Sequence, residues 1–450
     1  MRNKNLSSNI FAIIFIIATI GFWFFIIQQK HVNFKFDSGD TAVAEQAIWN
    51  ATHGNGFQQS SLLTAEPNFR EHLNFVQFLY LPFYWIVPHT LMLYLVIYLF
   101  YGIASFFVFL FAKSKIGTTG AFLTIFIFLF QPLTTIQAVG PMHVVAISAP
   151  LLLLSLIFYE KKFYRSWLIL LFLTAFTSEF IAPTVFLIAL IAIIDKRTFK
   201  WIFPPLLFSS IMYFISSFYI TLGLSAKGEL LKKFNPQSIK ENLTKKRLEF
   251  VEINFFRPLF YLPFLFSKYS LLLIPSLLLA LFIAARMQTG AHIFAPVSAI
   301  VTMIFIDVSL KINNPIYRRL FFSIVLLGTI LSSLAWSSYF EIESATNKKS
   351  LENAILMIKD DGSVTAFRQV GHYVNKRKEF YLPDNKQFTD YIILKSGKGN
   401  HPDEYEQFIL NSQNYILVFD ENRIKVYIKK QKLSELLKIS IENLPNNPIL

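Results

Sequence analysis

Residues 34–74 read FKFDSGDTAVAEQAIWNATHGNGFQQSSLLTAEPNFREHLN, a polar stretch set between two apolar runs. It carries Asp37, Asp40, Glu45, His53, Glu66, Glu71 and His72 in a chain where 16% of residues are charged. The run before it, residues 9–27, is apolar apart from Asn9 and Thr19. That is long enough for a helix to cross a hydrocarbon core about 30 Å thick. The polar stretch therefore reads either as a solvated loop or as a site at the membrane surface.

Composition extends this reading to most of the chain. Of 450 residues, 54% are hydrophobic, 50 are Phe, and the mean hydropathy is +0.46. Several further runs reach spanning length, so the expected fold is mainly α, a polytopic transmembrane bundle. The absence of cysteine excludes disulfides, thiolate metal sites and Cys nucleophiles. The net charge of +14 is read as Lys and Arg flanking helices and meeting anionic headgroups, with no nucleic-acid partner.

Outward from the opening stretch, the short basic start MRNKNLSS precedes the first run. No small-x-small cleavage site follows that run, so an uncleaved helix with a cytoplasmic N-terminus is expected. The first loop, 29–75, then lies outside. Within it Thr41–Ala51 reads as an amphipathic helix capped by Asp40 or Ser38, its face of Ala44, Ala47, Ile48 and Ala51 lying on the membrane. HGNGF at 53–57 is a turn. Residues 75–88 are short and Pro-broken, so they read as interfacial or re-entrant, and 90–112 read as a span closed by Lys113 and Lys115.

Residues 119–136 and 143–159 form a pair of spans joined by an outer turn, QAVGPMHV, that carries His143. EKKFYR at 160–165 and DKRTFK at 195–200 are both basic and belong on one side, which requires an even number of crossings between them. Two short helices meeting near Ser178 and Glu179 satisfy this. One long span with Glu179 at mid-depth is the alternative, and either places a costly carboxylate within the membrane part. A span at 201–222 leads to a basic loop, 223–254, with Lys245, Lys246 and Arg247. Residues 256–285 read as two short helices turning at Ser267–Lys268. Spans at 291–309, preceded by His292, and at 320–338 bring the expectation to about 11 helices.

From about Glu341 the composition becomes that of a soluble domain. AILMI, EFYLP, DYIIL and YILVFDENRIKVYI read as strands, with DEN as a hairpin turn, and TAFRQVGHYVN and DEYEQFILN read as helices. The expected organisation is a membrane domain over 1–340 and a small extracytoplasmic α/β domain over 341–450. No nucleophile elbow, P-loop or paired-glycine fingerprint occurs in the latter.

On this topology Asp37, Asp40, Glu45, His72, His143, Glu179, the basic loop and His292 converge on the outer side. Carboxylates beside cations at a membrane face suit transfer from a lipid-linked donor: a base activates the acceptor, and cations hold the leaving phosphate. Paired carboxylates also suit a divalent cation held through oxygen.

Asp40, then Glu45-Gln46-Ala47-Ile48-Trp49, then His53-Gly54 resemble a block of the DUF2079 membrane proteins. His72-Leu73-Asn74-Phe75 is similar to that family's His-Phe-x-Pro block without the proline. Met142-His143 and Ser178-Glu179-Phe180 resemble two further segments loosely, and DDGSVTAFRQVGHYVNKRKEFYLP is similar to the C-terminal part. The family's architecture is similar to GT-C membrane glycosyltransferases, which take a sugar from a polyprenyl-phosphate carrier.

The resemblance implies Asp40 as base or ligand of a divalent cation (Mg or Mn), with Glu45 as second carboxylate. Asp37, His72, His143, Glu179 and His292 would line the substrate pocket. Lys245, Lys246, Arg247 and Arg257 would contact phosphate. The expected partners are membrane lipid, a polyprenyl-phosphate-linked sugar and an unidentified acceptor. A transporter or flippase of lipid-linked intermediates, or a non-catalytic membrane scaffold, are the competing readings.

Overall fold

The computed structural model describes residues 2–36, 39–60, 65–67, 74–221, 245–261, 264, 266–280, 291–342, 344–358, 362–383, 386–396 and 402–442. Asp37, His72 and most of the basic loop lie outside the described residues, as do the side chains of Lys245, Lys246, Arg247 and His292. The helices begin with α1 (Arg2–Val32), α2 (Gly39–Thr52), α3 (Leu81–Ile86), α4 (Thr90–Phe130), α5 (Pro132–Val139) and α6 (Ser148–Glu160). They continue with α7 (Tyr164–Ala175), α8 (Ala182–Ile194), α9 (Phe199–Thr221), α10 (Lys245–Val251), α11 (Ile274–Leu278), α12 (Pro296–Lys311) and α13 (Pro315–Leu334). Contacts divide the chain into two compact units: residues 1–28 with 69–341, and residues 29–68 with 342–450.

Leu6–Val32, Thr90–Phe130, Phe199–Ser217 and Pro315–Leu334 are long and apolar enough to cross a membrane, and all but residues 29–32 belong to the first unit. α4 contains two helices, broken at Gly117, whose φ of 80° suits a residue without Cβ. Beside that break Lys113 Nζ donates to Ser8 Oγ at 2.7 Å and Asn9 Oδ1 at 2.9 Å, so the start of α1 lies at the same end of the unit. Toward the other end the hydroxyls of Tyr94 and Tyr98 donate to the carbonyls of Gly140 and Ala138 at 2.8 and 2.7 Å. They fasten α5, which is buried along its whole length. The QAVG segment is therefore a packed helix and its C-cap, where the sequence suggested an outer turn; Pro132 at its first position and Gln131 as N-cap start it.

α7 and α8 are the two short helices, about 18–20 Å long, with Ser178 and Glu179 between them. Their far ends meet through the two basic turns. The Tyr159 hydroxyl donates to Asp195 Oδ2 at 3.0 Å, and the Trp167 and Trp201 rings lie 4.7 Å apart. Lys268 closes the same end, with Nζ 2.9 Å from Glu160 and 2.6 Å from Asp195.

Residues 256–261 do not form the start of the short helix expected there; 262, 263 and 265 lie outside the described residues. The chain passes from a π turn into a 3-10 turn, Arg257–Leu259, and then into left-handed Phe260 and Tyr261. Pro258 removes an amide donor and does not continue a helix. Gly328 of α13 lets this turn in close, since a Cβ there would sit 2.6 Å from the Arg257 carbonyl oxygen.

The second unit carries a five-stranded sheet in the order β4-β3-β5-β7-β6. Its strands are β3 (Val364–Ala366), β4 (Phe380–Tyr381), β5 (Tyr391–Lys395), β6 (Tyr415–Glu421) and β7 (Ile424–Lys429). β1 (Gln58–Ser60) and β2 (Ala65–Pro67) pair antiparallel as a second, two-stranded sheet. β3 runs parallel to β4 and β5, whereas β5, β7 and β6 are antiparallel. Tyr391 and Ile393 face one core, and Ile392 and Leu394 the other, as strand alternation requires. The β6–β7 turn falls at Asn422 and Arg423, both at positive φ, as a two-residue hairpin demands.

Around the sheet lie α14 (Lys348–Leu356), α15 (Arg368–Val374), α16 (Pro402–Ser412) and α17 (Lys430–Glu442). AILMI, expected as a strand, mostly completes α14, which buries Leu351 and Ala354 at helical spacing. α2 also belongs to this unit. Ala42 joins the core of Val364, Phe380 and Ile393. Ala47 and Ile48, expected on the membrane, are buried, and a Cβ on Gly371 would meet Ala42 Cβ at 3.0 Å, so α15 packs closely against α2.

Candidate functional site

α2 presents the two carboxylates of the opening stretch in opposite settings. Asp40, in the first turn, is exposed where the positive end of the helix favours an anion. Glu45 is 0% exposed. It accepts from Asn375 Nδ2 at 3.2 Å, with Lys376 Nζ 3.9 Å away. The neighbouring contacts explain why. Asn375 also donates to the Ala42 carbonyl at 2.7 Å, and the Gln46 amide donates to the carbonyls of Arg377 and Lys378 at 3.3 Å each. Arg377 turns inward, its guanidinium donating to the carbonyls of Val374 and Gly362. Glu45 is thus part of the joint between α2 and segment 374–378.

Five residues along a helix are about 140° apart around its axis. Asp40 is exposed at the start of α2, and Glu45 is turned into the joint. Among the described residues no group of three or more His, Asp or Glu side chains is placed to hold a metal ion. At the other end of α2, His53 stacks on Trp49 with ring centroids 4.0 Å apart, and its Nδ1 lies 2.8 Å from the Trp49 carbonyl.

In the first unit, His143 and Glu179 are both half-buried and reach the same end. Segment 74–80 links them. The Tyr80 hydroxyl donates to the Val144 carbonyl at 3.2 Å, next to His143. The Phe75 ring packs on Phe176 at 5.7 Å, at the α7–α8 tip. Ser178 Oγ stands 3.4 Å from Glu179 Oε2 and takes the Phe180 amide at 3.3 Å. Gln77, in the same segment, is 0% exposed, and neither of its amide atoms has a hydrogen-bond partner among the described residues. Leaving both unmade is costly, so a water, a group outside the described residues or a ligand completes them. The sequence signal for Gln77 was a lone Gln inside the apolar run FVQFL.

Arg257, expected at phosphate, is committed elsewhere. Its Nε donates to Glu252 Oε1 at 2.7 Å, a second guanidinium nitrogen reaches Glu252 Oε2, and the Tyr261 hydroxyl donates to Oε1 at 2.5 Å. The Arg257 hydrogen bond holds the Glu252 carboxyl below its usual range.

A model of the family described as predicted membrane protein (DUF2079) matches residues 30–422. No curated protein matches the chain. Among solved structures, the fold is similar to the crystal structure of ArnT from Cupriavidus metallidurans bound to undecaprenyl phosphate. The TM-score is 0.57 and the identity 9%, over 93% of this chain and 97% of that one.

Proposed function

We propose that this chain, which belongs to the DUF2079 family of predicted membrane proteins, is an integral-membrane glycosyltransferase. It would move a sugar from a polyprenyl-phosphate donor to an acceptor at the outer face of the cytoplasmic membrane. The observation that carries this reading is the likeness of fold, nearly end to end, to a protein crystallised with undecaprenyl phosphate. The N-terminus would then be cytoplasmic and the unit holding Asp40 extracytoplasmic.

Asp40 is the residue we assign to the chemistry. Its exposed carboxylate takes the proton of the acceptor nucleophile as that atom bonds to the anomeric carbon, and the lipid phosphate leaves with the bond's electron pair. Glu45 acts through structure, holding α2 in place. Gln77, His143 and Glu179 offer hydrogen bonds to a polar substrate group. No step is assigned to a metal.

A second reading, a flippase for lipid-linked intermediates, draws on the short helices α7 and α8 with a carboxylate at their turn. The test is transfer of labelled sugar from a panel of polyprenyl-phosphate donors by the purified protein in liposomes, with Asp40→Asn alongside. Transfer lost in Asp40→Asn supports the enzyme. Movement of donor across the bilayer without transfer supports the flippase.

A further inference from the structure

Two turns of the first unit share an unusual feature. Residues 161–163 join α6 to α7, and residues 195–198 join α8 to α9. Each closes its helix in the same way. Lys162 N–H reaches the Tyr159 carbonyl at 3.1 Å and Phe163 N–H the Phe158 carbonyl at 3.0 Å. Lys196 N–H reaches Ile193 and Arg197 N–H reaches Ala192, both at 2.9 Å. The residue at the left-handed position is lysine in both, with φ of 61° at Lys162 and 52° at Lys196. Glycine or asparagine is what that geometry favours, so backbone conformation does not account for either lysine.

The acids of these turns do not neutralise them. Glu160 and Asp195 face Lys268, at 2.9 and 2.6 Å, and Tyr159 and Tyr269 hydroxyls add to the same pair. Lys161, Lys162, Arg165, Lys196 and Lys200 remain exposed around them. Arg197 is stacked inward, its guanidinium 4.8 Å from the Tyr159 ring centroid. Between the cations stand bare aromatic rings: Phe163 is 57% exposed and Phe199 70%. Lysines interleaved with exposed phenylalanines, above a belt of Trp167, Trp201 and Tyr164, match a lipid interface. A soluble polyanion would leave the phenylalanines uncovered.

We propose that turns 161–165 and 195–200 together form a binding surface for the phosphate headgroups of anionic membrane lipids. The lysines meet the phosphates, and Phe163 and Phe199 enter the acyl region beside them. The surface uses none of the residues assigned to the proposed transfer, and its test does not depend on that reading.

The test uses the full chain purified in detergent and titrated with phosphatidylglycerol or phosphatidylcholine. Retained lipid is counted by native mass spectrometry, and unfolding is followed with and without lipid. Lys162→Gly with Lys196→Gly removes two cations and relieves both left-handed positions. Lys162→Gln with Lys196→Gln removes the charge and keeps the strain. The expected result is an apparent affinity for phosphatidylglycerol that falls about 5-fold per lysine in both pairs. Phosphatidylcholine should bind weakly and unchanged, and the glycine pair should unfold no earlier than wild type in detergent alone. Equal phosphatidylglycerol retention by wild type and both pairs would overturn the proposal. So would displacement of that lipid by millimolar inorganic phosphate, which would make the surface a site for free anions.

Discussion

Glu45→Ala should loosen α2 from the second unit without unfolding the first. Glu45 is fully buried, accepts from Asn375 at 3.2 Å and lies 3.9 Å from Lys376. Removing one partner of a fully buried ion pair costs about 3–5 kcal/mol, because the other is left charged and dry. Here the Lys376 side chain is 35% exposed and rehydrates, which discounts that figure. What remains is a hydrogen bond to a charged acceptor, with the Asn375 amide still held by the Ala42 carbonyl. The expected loss is about 2 kcal/mol. Through 1.36 kcal/mol per decade, that makes the amides of α2 exchange about 30-fold faster. Hydrogen exchange read by mass spectrometry on peptides covering 39–52 and 374–378, in the full chain, measures it. Glu45→Gln keeps an acceptor for Asn375 and should shift exchange by less. Unchanged exchange in both peptides with Glu45→Ala would refute the role of Glu45 as the joint.

Other consequences follow from single contacts. Lys268→Ala leaves Glu160 and Asp195 facing each other at 25% and 19% side-chain exposure. A loss of about 2–3 kcal/mol is expected, seen as a lower unfolding midpoint in detergent, and Glu160→Gln in the same background should restore part of it. Gln77→Leu removes a buried amide that has no partner among the described residues, so stability should hold or rise by about 1 kcal/mol while any transfer activity falls. Burial pushes the Tyr405 phenol up to about 12. A folded value above the unfolded one, near ~10, means this contribution is complete below that pH and is lost as pH rises toward the folded value. Tyrosinate absorbance should therefore show Tyr405 ionising only as the second unit unfolds in alkali, and Tyr405→Phe should remove that component.

The sequence made the long apolar runs, the two short helices around Ser178–Glu179 and the 415–428 hairpin legible, because each rests on a local rule. Run length, the pairing of basic turns and strand alternation need no knowledge of distant residues. The face of α2 was not legible in that way. Ala44, Ala47, Ile48 and Ala51 recur at helical spacing, which says that one side is covered but not by what. On the same helix Ala42 meets a core around Val364 and Phe380, more than 300 positions away. The burial of Glu45 has the same origin, since Asn375 and Lys376 are its partners. AILMI was too short to separate strand from helix by apolar content alone. The turn at 257–261 carried its own warning in Pro258, and α5 hid behind a Gly-Pro pair that marked only its end.

The central claim is that Asp40 serves a transfer from a polyprenyl-phosphate donor, whereas Glu45 serves the fold. It is tested most directly by sugar transfer in liposomes with wild type, Asp40→Asn and Glu45→Gln side by side, each checked for folding. The account predicts transfer by wild type, substantial transfer by Glu45→Gln and a loss of at least about 100-fold in Asp40→Asn. Transfer undiminished in a folded Asp40→Asn protein would contradict it.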